Sequence, residues 1–460
     1  MGAPSPAGAA RNVKPLALNP ENPHYFQFRG KPTVLVTSGE HYGAVLNPDF
    51  DYVRYLDELK ASRFNQTRTF SGVYVENPGA FNISKNTLAP LPGRMLCPWA
   101  RSGEAGYAGG GAKFDLTKWD AAYFRRLKEF VEQAGRRGVV VEYVLFCPFY
   151  DDAQWNLSPL KSGNNVNGVG AVPRTEALTL QHQELVAIQD AFVKKVVQEL
   201  RPFDNVYFEI CNEPYFGGVT LEWQAHIAAT IQQSEADLPT ASRHLIAQNI
   251  ANKSAEIKSP NPAVSVFNFH YASPPDAVRV NFGLNRPIGF DESGFRGTND
   301  LPYRTEAWEF LLAGGAVYSN LDYSYSTATP DGSGKVEAPT PGGGGPILRR
   351  KLSILKEFME KLPFTRMQPD PGVVQGGVPT GGAVHVLSEA GKVYALYIRG
   401  GGGVELSLAL PRGRYRAEWI NTHTGGVIHS QQIESKGESI SASSPAYSED
   451  IALRLTRSGR

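Results

Sequence analysis

The sequence predicts an α/β chain: a (β/α)8 TIM barrel followed by a small all-β sandwich domain. Three observations predict it. Between residues 24 and 362, short apolar runs rich in β-branched and aromatic residues alternate with segments of helical period. From about Phe364 the helical period is gone, and short alternating runs separated by Gly-rich or Asn/Thr-Gly turns take over. The third observation is the run Asn205-Val-Tyr-Phe-Glu-Ile-Cys-Asn-Glu-Pro214. It reads as a strand covered on both faces that stops abruptly, because Pro214 has no N–H for a ladder. Glu213 then stands at the C-terminal tip of a core strand, the end of such barrels that carries chemistry.

The elements follow in order. Residues 1–20 read as a disordered tail, with no apolar core to make a signal peptide. The barrel is expected over 21–362 and the sandwich over 363–460. Residues 24–29 form a short strand closing the barrel bottom, and 33–38 form strand one, ending in Gly39-Glu40-His41-Tyr42. A helix over 49–63 puts Tyr52, Tyr55, Leu56 and Leu59 on one face. Strand two, 64–70, aligns Phe64, Gln66, Arg68 and Phe70, and an arginine inside a barrel is costly unless a carboxylate pairs it. Residues 71–113 have no period and are too long for a simple connection, which predicts a functional loop over the active face. Asp115 to Trp119 open a helix that continues over 120–137.

Strand three, 139–146, runs into Cys147-Pro-Phe-Tyr-Asp-Asp152 and an irregular loop over 155–174. A helix over 181–200 precedes strand four, 206–210. Then come a helix over 221–236, strand five over 244–249, and strand six over 264–270 with Tyr271 next. Strand seven, 287–294, carries Glu292 at its tip. A helix over 305–312 and strand eight over 315–320 lead into Leu321-Asp-Tyr323. The last barrel helix, 346–362, has Pro346 at its first position after the glycines 342–345. Sandwich strands are expected at 383–388, 392–398, 404–410, 415–421 and 451–455, with Tyr415 and Trp419 as exposed aromatic candidates.

Composition excludes several classes. A formal net charge of +1 and no basic run argue against nucleic-acid binding. No stretch approaches the roughly 18–20 apolar residues of a membrane span. The three cysteines, Cys97, Cys147 and Cys211, have no metal-ligand spacing and read as buried small hydrophobes. Four glycosylation sequons, at Asn65, Asn82, Asn156 and Asn252, read as chance matches, since Asn65 falls inside a strand. Asp151 and Asp152 read as a solvated helix start rather than a metal pair. Trp99 and Trp155 fit loop packing and sugar platforms equally well. The compartment stays open.

Two strand tips, four and seven, each present a glutamate. Retaining hydrolysis of a glycosidic bond needs two carboxyl groups about 5–5.5 Å apart, one protonated and one ionised. Glu213 and Glu292 meet that requirement in kind. Here a resemblance becomes specific. Asn212-Glu213-Pro214 after an apolar strand resembles the acid/base signature of clan A glycoside hydrolases, and Asp291-Glu292-Ser293-Gly294 resembles their nucleophile signature. Arg68 on strand two and His270-Tyr271 on strand six are similar to further clan residues, and residues 114–119 resemble a segment of the cellulase-like family 5. The resemblance spans about residues 24–362.

The resemblance implies Glu213 as acid/base and Glu292 as nucleophile, kept ionised by Arg68 and a hydroxyl such as that of Tyr271. Asn212 would bind the sugar 2-hydroxyl, His270 would position Glu213 or the leaving group, and Glu40 and His41 would hold other hydroxyls. Where clan members often carry a tryptophan after strand eight, this chain has Asn320-Leu-Asp-Tyr323, with Tyr323 as the substitute. The implied partner is an oligosaccharide, polysaccharide or glycoside, with no metal and no organic cofactor. The long loops favour a pocket over a trough. The rival readings are a carbohydrate-binding barrel without catalysis and a transglycosylase. The sandwich is expected to brace the barrel.

Overall fold

The structure, a computed structural model, describes residues 14–458. Eight parallel strands make a nearly closed barrel: β1 (Leu35–Gly39), β2 (Gln66–Phe70), β3 (Val140–Phe146), β4 (Val206–Cys211), β5 (Ile246–Asn252), β6 (Val266–His270), β7 (Ile288–Ser293) and β8 (Val317–Leu321). The hydrogen-bonded order runs β1-β8-β7-β6-β5-β4-β3-β2. Asn65 bridges the seam between the two end strands. Its amide oxygen accepts from Val36 N at 2.9 Å and its amide nitrogen donates to Val34 O at 2.8 Å. That engaged amide fits the reading of its sequon as a chance match.

Helices Tyr52–Ala61, Ala121–Arg136, Gln183–Leu200, Leu221–Ser234, Asp276–Asn281, Asp300–Leu312 and Pro346–Glu360 follow every strand except β5. Residues 253–265, between β5 and β6, contain no helix. The bottom is closed by a three-stranded antiparallel sheet of Ala17–Leu18, Phe26–Phe28 and Lys31–Thr33. Arg29 ties it to the start of β4 through Asp204 at 2.6 Å. The expected tail is therefore partly strand, with Leu16 fully buried; positions 1–13 lie outside the described residues.

One expectation is corrected. Residues 115–119 do not open a helix. They belong to a strand, Ala112–Trp119, paired antiparallel with Trp99–Ala105. Asp115 accepts from the backbone and hydroxyl of Thr117, a local turn that competes with helix. The helix starts at Ala121, where Asp120 caps it by accepting from Ala122 N at 2.7 Å.

The C-terminal part is two antiparallel sheets, of six and three strands. Val427–Ser435 and Ser439–Ser443 are strands that periodicity missed, because they are largely exposed and polar. Tyr415 and Trp419 are not exposed aromatics: both are fully buried in the sandwich core with Leu406, Leu453 and Leu455. Helix Asp300–Leu312 is buried on all sides from Tyr303 onward, because it lies between β7–β8 and the sandwich. Trp308 stacks on Tyr397, ring centroids 5.4 Å apart. Arg304 reaches Asp450 and Thr422, and the Tyr397 hydroxyl donates to Asp450 at 2.6 Å.

Candidate active site

The tips of β4, β6 and β7 converge at the C-terminal mouth of the barrel. A β-bulge explains why two successive acids of β7 face inward. Phe269 pairs with Phe290, but the next residue, His270, pairs with Glu292, so Asp291 is the extra residue. Asp291 Oδ2 then lies 3.5 Å from Arg68 Nε, and Glu292 Oε2 lies 3.3 Å from Arg68 Nη1.

Arg68 is the hub. Its side chain is fully buried and also meets Glu209 of β4, Glu142 of β3 and the Asn212 amide oxygen, the last at 2.8 Å. The carboxylates that an inward arginine demands are thus present in excess. Burial and then the Glu209 charge push Asp291 and Glu142 well above the usual carboxylate range. Burial acts on Glu209 in the same direction, but Arg68 together with Asn268 and His270 outweighs it and holds Glu209 down. Around this one guanidinium the charged form is therefore favoured at Glu209 and disfavoured at Asp291 and Glu142.

Glu292 accepts from the Tyr42 hydroxyl at 2.8 Å and the Tyr271 hydroxyl at 2.6 Å. Burial pushes its carboxyl up, but His270, Arg68 and Tyr271 reverse this and hold it below the usual range. Glu213 has other company. Its oxygens lie 2.6 Å from the Tyr150 hydroxyl, 3.1 Å from the Tyr215 hydroxyl and 3.0 Å from His270 Nδ1. His270 Nδ1 is also 3.4 Å from Glu292, so one imidazole stands between the two acids. Burial pushes that imidazole down, but the surrounding carboxylates, Glu292 foremost, lift it well above its ordinary value. One oxygen of Glu213 and one of Glu292 lie within 4.8 Å of each other.

Both carboxylates line a cavity of about 460 Å³. His41, Asn212 and Tyr271 line it too; Arg68 and His270 lie just beneath, touching the acids without forming its wall. Tyr323 and Glu40 are elsewhere. Tyr323 packs behind His41 under Gly342, where an added Cβ would fall 2.3 Å from its ring. That contact accounts for one member of the four-glycine run. Glu40 accepts from Gly43 N at 2.9 Å, Ala44 N at 3.0 Å and the Thr87 hydroxyl, which ties the loop after β1 to the segment after β2.

Sequence reasoning missed Tyr42, Glu76, Tyr150 and Tyr215. Glu76, on the long segment after β2, is buried in the cavity wall with His41 Nε2 at 3.3 Å. These residues sit on loops, where no period marks a side chain's direction. The available signal was an inward pair of acids needing hydroxyl donors beside the tips. Backbone strain marks the same place: Tyr42, Phe81, Glu213, Tyr271 and Phe295 line the cavity at φ of 62, 54, 36, 51 and 58°.

Trp99 and Trp155 are packing residues, both buried, the first stacked on Trp119 and the second packed on Phe149. Asp151 caps a single helical turn as a capping box with Gln154. Among the described residues two groups have metal-like spacing, Glu213–His270–Glu292 and Glu142–Glu209–Asp291. In each, the Arg68 guanidinium already lies against a carboxylate.

No protein-family profile and no curated protein matches this sequence. Solved structures do. A Bacteroides vulgatus protein provisionally assigned as a glycoside hydrolase superposes with a TM-score of 0.67 at 14% identity, covering 98% of this chain and 84% of its own. A glycoside hydrolase family 5 structure from Bacteroides vulgatus gives 0.63 at 12% identity, covering 96% and 93%. The endo-β-1,4-mannanase from Thermotoga petrophila gives 0.50 at 11%, covering 90% and 97%. The chain has the barrel-plus-sheet fold of these glycoside hydrolases. Among the described residues no helix is long and apolar enough to cross a membrane.

Proposed function

We propose that the protein is a retaining glycoside hydrolase that removes a sugar from the end of its substrate. The observation that carries this reading is the pair of carboxylates within 4.8 Å, one on each side of a shared imidazole. That closeness suits double displacement better than inversion, whose carboxyl groups stand about 6.5–9.5 Å apart. Glu292 oxygen attacks the anomeric carbon as the bond to the leaving oxygen breaks and Glu213 gives that oxygen its proton. Water, deprotonated by Glu213, then attacks the same carbon and releases Glu292.

The surroundings support these roles. Arg68, Tyr42 and Tyr271 stabilise a charged Glu292. The Tyr215 hydroxyl has one proton and lies 2.5 Å from Asn252 Oδ1 and 3.1 Å from Glu213. That one hydroxyl proton is offered to both acceptors, which ties Glu213 to the end of β5. Asn212 donates to the Tyr150 hydroxyl at 3.0 Å and is held by Arg68, which fixes its amide for the sugar 2-hydroxyl. His41 and Glu76 form the polar wall suited to other sugar hydroxyls. Walls from the segments after β2, β3 and β7 support action at a chain end.

The test is aryl glycoside turnover by wild type, Glu213→Ala and Glu292→Ala, with and without azide. Glu213→Ala should form a glycosyl azide of retained configuration on an activated substrate, and Glu292→Ala an inverted one. A wild-type activity untouched by either substitution would refute the reading.

A further inference from the structure

This inference rests on the glycosidase reading and concerns the leaving group. We propose that the outer part of the cavity receives a flat apolar ring, so that the substrates are glycosides of an aromatic or benzylic alcohol rather than chains of sugars.

The cavity has two unlike ends. Its buried wall carries the polar groups, His41, whose Nδ1 has no protein partner, Glu76, Asn212 and Glu292, set among Phe70, Tyr74 and Leu88. Its mouth is a collar of three phenylalanines, Phe81, Phe216 and Phe295, which remain 39%, 42% and 41% exposed. They belong to three separate loops, after β2, β4 and β7, so local sequence does not explain their meeting. The Tyr150 ring stands between Phe81 at 5.5 Å and Phe216 at 5.7 Å. Its hydroxyl is committed to Glu213. Phe216 N donates to Glu213 O at 3.0 Å, which fixes this ring on the proton donor's side. Phe295 lies 6.1 Å from Tyr271 and 6.4 Å, edge to face, from Phe81.

Keeping three such rings half in water is unfavourable without an occupant. Two of them, Phe81 and Phe295, also sit in the left-handed backbone region, a strain maintained at the mouth itself. Polar groups there are few, and each is partly engaged. Asn252 Oδ1 lies 2.5 Å from the Tyr215 hydroxyl, and Arg296 pairs with Glu306 at 3.1 Å. A second sugar would find only Asn252 and Arg296 for its many hydroxyls, whereas a flat ring would meet aromatic edges and faces from three directions.

The experiment first fixes the sugar with a panel of glycosyl fluorides, which carry no organic leaving group. Benzyl and methyl glycosides and a disaccharide of that sugar, all leaving as alcohols, are then compared. The benzyl glycoside should exceed both others in kcat/KM by about tenfold or more. In Phe81→Ala/Phe216→Ala the benzyl-to-methyl ratio should fall about tenfold, whatever happens to absolute rates. A disaccharide preferred by wild type, or a ratio unmoved in the double variant, overturns this proposal alone. Failure to hydrolyse any fluoride overturns the glycosidase reading and the proposal with it.

Discussion

Glu213 and Glu292 are almost equally buried, 7% and 6% exposed, yet only one of them meets a guanidinium. Glu292 touches a guanidinium and two tyrosine hydroxyls; Glu213 touches hydroxyls and the shared imidazole but no guanidinium. Depth therefore does not separate the two proposed roles. What reaches each oxygen does, and the bulge in β7 that brings Asp291 and Glu292 to the same arginine is what makes the sites differ.

The largest expected contrast is between Glu292→Gln and Glu213→Gln. The first should abolish turnover for every leaving group. The second should lose about 10²–10⁴-fold on poor leaving groups and far less on activated aryl glycosides. Equal losses across leaving groups would break the comparison. Arg68→Met comes next. It strands Glu209 and Glu292 without their cation, so denaturant titration should show a loss of about 3–5 kcal/mol together with lost activity.

A smaller contrast pits Tyr271→Phe against Tyr150→Phe. A hydrogen bond to a charged group contributes about 1.5–3 kcal/mol. Tyr271→Phe should move the acid limb of kcat/KM to higher pH, because Glu292 loses a donor that favours its charged form. Tyr150→Phe should leave that limb in place; a matching shift would mean the two acids are not distinct.

The smallest effect concerns Glu306, beside β7. Burial pushes it up from 4.5 to about 7, against its bonds to Ser293, Arg296 and Tyr318. A carboxyl raised on folding binds its proton more tightly in the native state. Its stabilising contribution is full below about pH 4.5 and is lost as pH rises through about 7. Glu306→Gln should make the decline of Tm between pH 5 and 8 shallower than in wild type. An unchanged slope would count against this account.

The strand tips were legible because a strand's direction and its abrupt stop are local properties. Val206 to Ile210 is apolar and Pro214 ends it, so the position of Glu213 follows. Arg68 inside a strand announced buried acids, but which acids depended on pairing between strands far apart in sequence. Glu142, Glu209 and Asp291 each look like an ordinary strand residue. The helix expected over 115–119 failed because a cross-chain partner, Trp99–Ala105, decided the conformation. Tyr323 and Glu40 stood at the right tips and were turned away by neighbours, Gly342 and Thr87, that no period marks. The sandwich aromatics were misjudged for a related reason: Tyr415 and Trp419 alternate correctly, but which face is covered is set by the second sheet.

Helix Asp300–Leu312 has a consequence for how the protein is made. Its outer face is covered by strands that begin near Ala383, so on the ribosome the helix emerges before its cover exists. For that interval Trp308 lacks Tyr397 and Arg304 has no counter-ion from Asp450. The nascent barrel is therefore sticky beside β7, and its yield should depend on chaperones that hold the chain until release. Chains truncated after Leu362 should aggregate, and supplying residues 363–460 as a separate polypeptide should restore part of the soluble barrel; a fully soluble truncated barrel would show that the helix tolerates exposure.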